Sequence, residues 1–195
     1  MSKTKNELRH IFAQGPRTDL SETFSKASGV ALLFCGEGSE LELLFIKRAV
    51  NPKDNWSGQL AFPGGKRDDA DDTLLDTCLR EVHEELGLIL PRPALIGSLD
   101  DLQARQRGNL LEFFIQPFVF YLDRKPDLIP CSSEVAEVLW VRLDYLRSEK
   151  NQAEYIFERD GVSMNLPGIR FASGDTLWGL TYLMVSNLFK KLGHF

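Results

Sequence analysis

Apolar positions along this chain follow two rhythms. GVALLF (Gly29 to Phe34) and LELLFIK (Leu41 to Lys47) are nearly continuous apolar runs joined by CGEGSE, whose glycines suit a hairpin, so both are expected as strands. Leu95 to Leu99, LLEFFIQPFVFYL (Leu110 to Leu122) and EVLWVRL (Glu137 to Leu143) read the same way. The second of these is expected to be interrupted, or to lie at a sheet edge, near Pro117, whose nitrogen cannot donate to a ladder. A helical period replaces the runs at Asn6 to Gln14, closed by Gly15 and Pro16, at Thr73 to Leu86, and at Thr176 to Gly193. Helices on a mostly β framework predict an α/β or α+β layered domain.

At 195 residues and 43% hydrophobic, the chain can bury a sizeable core, and residues 1–195 read as one domain. No signal-peptide pattern is evident near the start and no uncharged apolar run approaches a bilayer span, so a soluble, cytoplasmic protein with no membrane partner is expected. Cys35, Cys78 and Cys131 are odd in number and far apart, which fits buried free thiols better than a disulfide framework or a zinc site. The net charge of -5 argues against nucleic acid as a partner. Between Lys66 and Glu85 stand eight acids and three bases, an excess equal to the whole formal imbalance. A site built of these acids repels a bare phosphate ester and accepts one carried with divalent cations.

Several motif classes are absent. CGEGSEL lacks the third glycine of a dinucleotide fingerprint, FPGGKR lacks the outer elements of a Walker loop, and no serine sits in a G-x-S-x-G elbow. The aspartates after FPGGKR do not follow EF-hand register.

The chemistry concentrates in LREVHEELGL, Leu79 to Leu88. On a helix Glu81, Glu84 and Glu85 share one wedge, while Leu75, Leu79, Val82 and Leu86 gather on another side to seat the helix. Three such readings stay open on residues alone: a hard-cation site, a solvated acidic face, and a protein-interaction surface. Two glutamates in the last turn oppose the macrodipole, which weighs toward a cation. Oxygen donors suit magnesium better than zinc, and His83 projects away from the wedge. Arg80 can hold one carboxylate by a fork-like ion pair, Gly64 and Gly65 let backbone approach a ligand, and Asp71 or Asp72 can cap the helix.

FPGGKRDDADDTLLDTCLREVHEELGL, Phe62 to Leu88, resembles the signature of the Nudix hydrolases, matching at Arg80, Glu81, Val82, Glu84, Glu85, Gly87 and Leu88. Gly65 lies 15 positions before Arg80, one more than is usual. That extra residue, with Phe62, Pro63, Gly64, Gly65, Asp68 and Asp71, is similar to the coenzyme A pyrophosphatase branch. LFIKRA keeps that branch's Arg48 and Ala49 but has Ile46 in place of threonine, and Asp54 and Trp56 occupy a stretch where the branch tends to carry arginine and histidine.

The resemblance implies an α/β fold, the Nudix α/β/α sandwich with a mixed β-sheet, acting as a diphosphatase on a small-molecule nucleotide conjugate with Mg2+ or Mn2+. It implies Gly65, Glu81, Glu84 and Glu85 as metal ligands, with Glu84, Glu85 and Arg80 in the catalytic set. Glu134, in CSSEVAEV, is the candidate base from a later loop, ahead of Glu137. Lys47, Arg48, Lys53 and Arg67 are candidate phosphate contacts, and Trp56 can stack on a base or line a groove. Coenzyme A or acyl-CoA is the expected substrate, ADP-ribose or another conjugate the alternative. A non-catalytic binding module is a third reading, and a homodimer stays open.

Overall fold

The computed structural model describes residues 3–52, 56–106, 109–159 and 161–193. In chain order the elements are α1 (Lys5–Ala13), β1 (Ala27–Cys35), β2 (Glu42–Arg48), β3 (Leu60–Ala61), β4 (Gly64–Lys66), α2 (Leu74–Leu86), β5 (Leu95–Ser98), β6 (Leu102–Gln106), β7 (Asn109–Leu122), β8 (Val135–Arg142), α3 (Leu143–Arg147), β9 (Gln152–Arg159), β10 (Val162–Arg170), β11 (Thr176–Trp178) and α4 (Gly179–Lys191). Among the described residues, β1 to β8 form one mixed sheet and β9 to β11 a smaller antiparallel one.

β1 is buried along its whole length because both its edges and both its faces are covered. It pairs in parallel with β7 on one edge. On the other it meets β2 directly at Phe34↔Leu43 and Cys35↔Glu42. Nearer the start of β1 the second partner is β4, while β2 turns to β3 and, on its far edge, to β8. Side chains alternate between the faces. Ala31 and Leu33 join Cys78, Val82 and Leu86 of α2, whereas Val30, Leu32 and Phe34 join α1 through Leu8 and Phe12 and α4 through Met184, Val185 and Leu188. A strand buried on both faces reads as an unbroken apolar run. Full burial of each of Val82 and Leu86 contributes about 1.5–3 kcal/mol to holding α2 in place. At Gly29 an added Cβ would lie 2.4 Å from the carbonyl oxygen of Leu74, so that glycine lets the helix start seat directly on the strand.

Three expectations change. Pro117 stands inside an unbroken β7, away from any sheet edge. β6 pairs with β7 up to Ile115 and β5 takes over at Phe118, so the missing N–H falls where the neighbour changes. The carbonyl of Pro117, on that same side, accepts from Leu99 N–H at 3.0 Å. Residues 176–178 are strand β11, paired with β10, and α4 begins only at Gly179, whose φ of +65° turns the chain. The hairpin of β9 and β10 has no counterpart among the expected elements; its exposed and half-buried positions alternate, with Tyr155 stacked on Trp178 at 4.2 Å.

Candidate active site

The acidic helix is fixed at both ends by its own sequence. Thr73 is its N-cap and closes a box with Asp76: Asp76 N–H donates to Thr73 Oγ1 at 3.2 Å and Thr73 N–H to Asp76 Oδ2 at 3.0 Å. The capping expected of Asp71 or Asp72 is therefore carried by other residues, because the chain reaches helical geometry only after Thr73. At the other end Gly87 N–H donates to the His83 carbonyl at 2.9 Å.

Asp71 has a different task. Its buried carboxylate receives Arg80 in a two-point fork, Nε at 3.1 Å and Nη2 at 3.0 Å, together with Thr77 Oγ1 and Asp68 N–H, both at 2.9 Å. The Arg80 bonds, aided by the others, hold its carboxyl well below the usual carboxylate range. The same guanidinium then reaches forward: Nη1 donates to Glu81 Oε1 at 2.8 Å and to Glu84 Oε2 at 3.0 Å, and Nη2 also donates to the Lys66 carbonyl at 3.1 Å. Arg80 thus ties the acidic loop, strand β4 and two of the three helix glutamates to one rigid plane. The fork falls on Asp71, outside the glutamate wedge where the sequence reading places it.

Glu85 is 2% exposed, and its Oε2 accepts from Gly64 N–H at 2.8 Å. Arg48 Nη1 stands 3.8 Å from its Oε1, too far for a hydrogen bond, so the guanidinium offsets burial without cancelling it. Burial pushes the Glu85 carboxyl up from 4.5 to about 8, opposed by the Gly64 N–H and by Arg48. Burial also raises the Glu81 carboxyl, against the pull of Arg80. Glu81 lies on Gly65 so closely that an added Cβ there would come within 2.3 Å of its carboxyl group. Glu84 projects further, with half of its side chain exposed.

Glu134 occupies the turn that leads into β8. Its carbonyl accepts from Ala49 N–H at 2.8 Å, next to Arg48, and Cys131 N–H in the same turn donates to the Glu85 carbonyl at 2.9 Å. The charge of Glu134 is among those that raise Glu81 and Glu85, so this turn faces the glutamate wedge. Glu137 lies in β8, paired with Lys47 of β2.

The expected phosphate contacts separate here. Arg48 stands beside the buried glutamate. Lys47 instead donates to both oxygens of Asp175, each at 2.9 Å, in the turn before β11. Arg67 donates to the carbonyls of Asp71, at 3.3 and 3.1 Å, and Asp72, at 2.9 Å, shaping the acidic loop from within. Asp175 is 128 residues from Lys47, and the partners of Arg67, though only four and five residues on, are backbone carbonyls that no residue type announces, so both cations read as available. Trp56 is 41% exposed in the turn that precedes β3. Lys53 and Asp54 lie outside the described residues.

Among the described residues no three His, Cys, Asp or Glu side chains are gathered into a ready-made metal cage. Glu81 and Glu84 turn to Arg80, and Glu85 turns to the strand backbone, which keeps three like charges apart. The donors are nonetheless all oxygen, carried on one seated helix against a strand with no side chain at Gly64 or Gly65, and that set suits a hard divalent cation rather than zinc or copper.

A mixed sheet between helices, carrying an arginine-braced acidic helix on a glycine strand, defines a hydrolase of phosphoanhydrides of the Nudix type. Residues 25–159 match the model of the NUDIX domain, and the chain belongs to that family. It is 30% identical over 167 residues to the mitochondrial coenzyme A diphosphatase NUDT8 of Mus musculus, an alignment covering 85% of this chain and 78% of that protein. It is 35% identical over 130 residues to the peroxisomal coenzyme A diphosphatase NUDT7 of Mus musculus, covering 66% of this chain and 52% of the relative, so the chain spans about half of that protein. The fold is also that of a MutT/nudix family protein from Enterococcus faecalis, with a TM-score of 0.58 at 17% identity over 98% of this chain and 75% of the other. The chain is a Nudix-type pyrophosphohydrolase, of a family that typically uses a divalent metal.

The expectation of a cytoplasmic protein is overturned by these relatives, which are mitochondrial and peroxisomal. The physical reason is that location is set by short signals read by receptors, so the charge and hydropathy of a folded domain carry no address. Among the described residues no helix is long and apolar enough to cross a membrane.

Proposed function

We propose that this chain hydrolyses the diphosphate of coenzyme A or an acyl-CoA, with magnesium or manganese, to 3',5'-ADP and 4'-phosphopantetheine. Two coenzyme A diphosphatases among its relatives support the substrate. The observation that carries the reaction is the close seating of Glu81 and Glu85 on the Gly64–Gly65 backbone, with Arg48 beside them.

In this reading Glu81, Glu84, Glu85 and the Gly65 carbonyl would hold the cation. When bound, it supplies positive charge to the phosphoryl oxygens and to the nucleophilic water. Arg80 does not touch substrate; it sets the direction of the Glu81 and Glu84 carboxylates, a positioning role of the kind outer partners play around metal ligands. Arg48 takes a phosphate oxygen pair through its planar fork. Glu134, on the turn opposite the wedge, accepts the proton that water loses as it attacks phosphorus, and the departing phosphate leaves with the bridging oxygen. Trp56, exposed in the turn before β3, is assigned to stack on the substrate.

Incubating the chain with magnesium and coenzyme A, acetyl-CoA or ADP-ribose, with products identified by mass, tests the assignment. Formation of 3',5'-ADP and 4'-phosphopantetheine is expected. Cleavage of ADP-ribose with coenzyme A left intact would overturn the substrate and keep the reaction.

A further inference from the structure

Strand β8 breaks its own alternation just where it approaches the site. Phe45↔Leu139, Ile46↔Val138 and Lys47↔Glu137 pair in step, but Arg48 is paired with Val135, so Ala136 has no partner on β2 and bulges out of the ladder. In a regular strand residues two apart share a face, which would place Ala136 with Val138 and Trp140 on the α2 side and turn Val135 to the other. The bulge reverses this. Ala136 is exposed, whereas Val135, only 3% exposed, joins Cys78, Val82 and Leu86 of α2 in the core against which Val138 and Trp140 also pack.

Val135 is the residue that follows Glu134. The turn before it closes on itself, with Glu134 N–H and Val135 N–H donating to the Cys131 carbonyl at 2.9 and 2.8 Å. Its outer attachments are Cys131 N–H on the Glu85 carbonyl at 2.9 Å and Ala49 N–H on the Glu134 carbonyl at 2.8 Å. All four are backbone bonds. Among the described residues no side chain makes a hydrogen bond or ion pair with the Glu134 carboxylate, so its place is set by the backbone that carries it. That turn faces the wedge closely enough for the Glu134 charge to bear on Glu81 and Glu85. The buried valine supplies the apolar hold that the backbone bonds lack, and it lies directly across the ladder from Arg48, so the arginine and the turn share one reference point.

We propose that Val135 is a positioning residue for the reaction: turned under α2 by the bulge at Ala136, it holds the Glu134 turn against the glutamate wedge. The assignment rests on the reading of Glu134 as the group that takes the proton from water. A base must stand within hydrogen-bond reach of that proton, and a misplacement of about 1 Å costs on the order of a hundredfold in rate. Val135→Ala removes the two methyl groups that fill the core beside the turn and leaves every ligand and base in the chain.

The test is a double-mutant cycle on the full chain with magnesium, Val135→Ala against Glu134→Gln, with coenzyme A as substrate, or ADP-ribose where coenzyme A is not cleaved. kcat and KM are read separately, and manganese affinity of the same proteins is measured by electron paramagnetic resonance. Glu134→Gln is expected to lower kcat at least about a hundredfold. Val135→Ala should lower kcat about tenfold, with KM and manganese affinity within about threefold of wild type, and Val135→Ile should keep kcat within about twofold. Added to Glu134→Gln, Val135→Ala should cost less than about twofold more, because the group it positions is already gone. Losses that multiply in the double variant, or a fall in manganese affinity that matches the fall in kcat, mean that the valine only packs α2; either overturns the proposal and leaves the base assignment standing. A Glu134→Gln variant with kcat near that of wild type removes the base, and the positioning role falls with it.

Discussion

Replacing Glu85 by glutamine isolates the electrostatic cost of the site. The side chain keeps its size, its burial and an oxygen for Gly64 N–H, and loses only the ability to ionise. In the wild type, burial lifts this carboxyl from 4.5 to about 8. A raised carboxyl favours the folded state fully below 4.5, where it is protonated in both states. The advantage is lost as pH rises through 8, since the unfolded chain ionises first. Each unit corresponds to about 1.4 kcal/mol, so in metal-free protein the full loss is on the order of 5 kcal/mol, with about 2 kcal/mol already gone near pH 6. Glutamine suffers none of this.

Urea melts of both proteins in chelator, from pH 5 to 9, measure the effect. The stability advantage of the glutamine variant is expected to grow by at least about 2 kcal/mol across that range and to level off above pH 8, because titrations common to both proteins cancel in the difference. Magnesium should reverse the order: a cation at one hundred times its dissociation constant stabilises the wild type by about 2.7 kcal/mol and the variant far less. Activity of the variant should fall by orders of magnitude. Parallel pH curves in chelator would refute the claim that a buried, uncompensated carboxylate is built into this fold.

Arg80→Lys removes the fork on Asp71 and should cost about 2–3 kcal/mol in urea melts at pH 7, less than a fully buried pair because the guanidinium is partly exposed. As the Asp71 carboxyl is held low, its contribution is present above about pH 4 and fades as pH falls below that, so the lysine variant should show a shallower acid limb in the same melts. Gly65→Ala places a Cβ where the Glu81 carboxyl sits, and should lower kcat at least about a hundredfold with little change in melting temperature, read by paired kinetics and calorimetry. Trp56→Ala should lose about 1–3 kcal/mol of substrate binding and Trp56→Phe less, if the ring stacks on substrate; equal affinities for wild type and alanine variant would rule stacking out.

Much of this protein is local and was legible as such. The wedge of Glu81, Glu84 and Glu85 follows from helical geometry alone, and the seated face through Val82 and Leu86 from the same period. The unbroken apolar run of β1 reports a strand covered on both faces, as it is. The hairpin of β9 and β10 was not legible: its charged and small residues, with Pro167 and Gly168 inside β10 and Ile156 at an exposed position, dilute the apolar signal that marks the central strands. What tertiary structure decided is which charges meet. Asp71 lies nine positions before Arg80, and its capture by the guanidinium depends on the acidic loop folding back over α2. Lys47 is paired with Asp175, 128 residues away, and Pro117 is tolerated in a central strand only because β6 stops and β5 begins beside it. Periodicity acts between neighbours on one element and can be read along the chain; electrostatic partnership acts through space, between elements whose approach is set by the whole packed core.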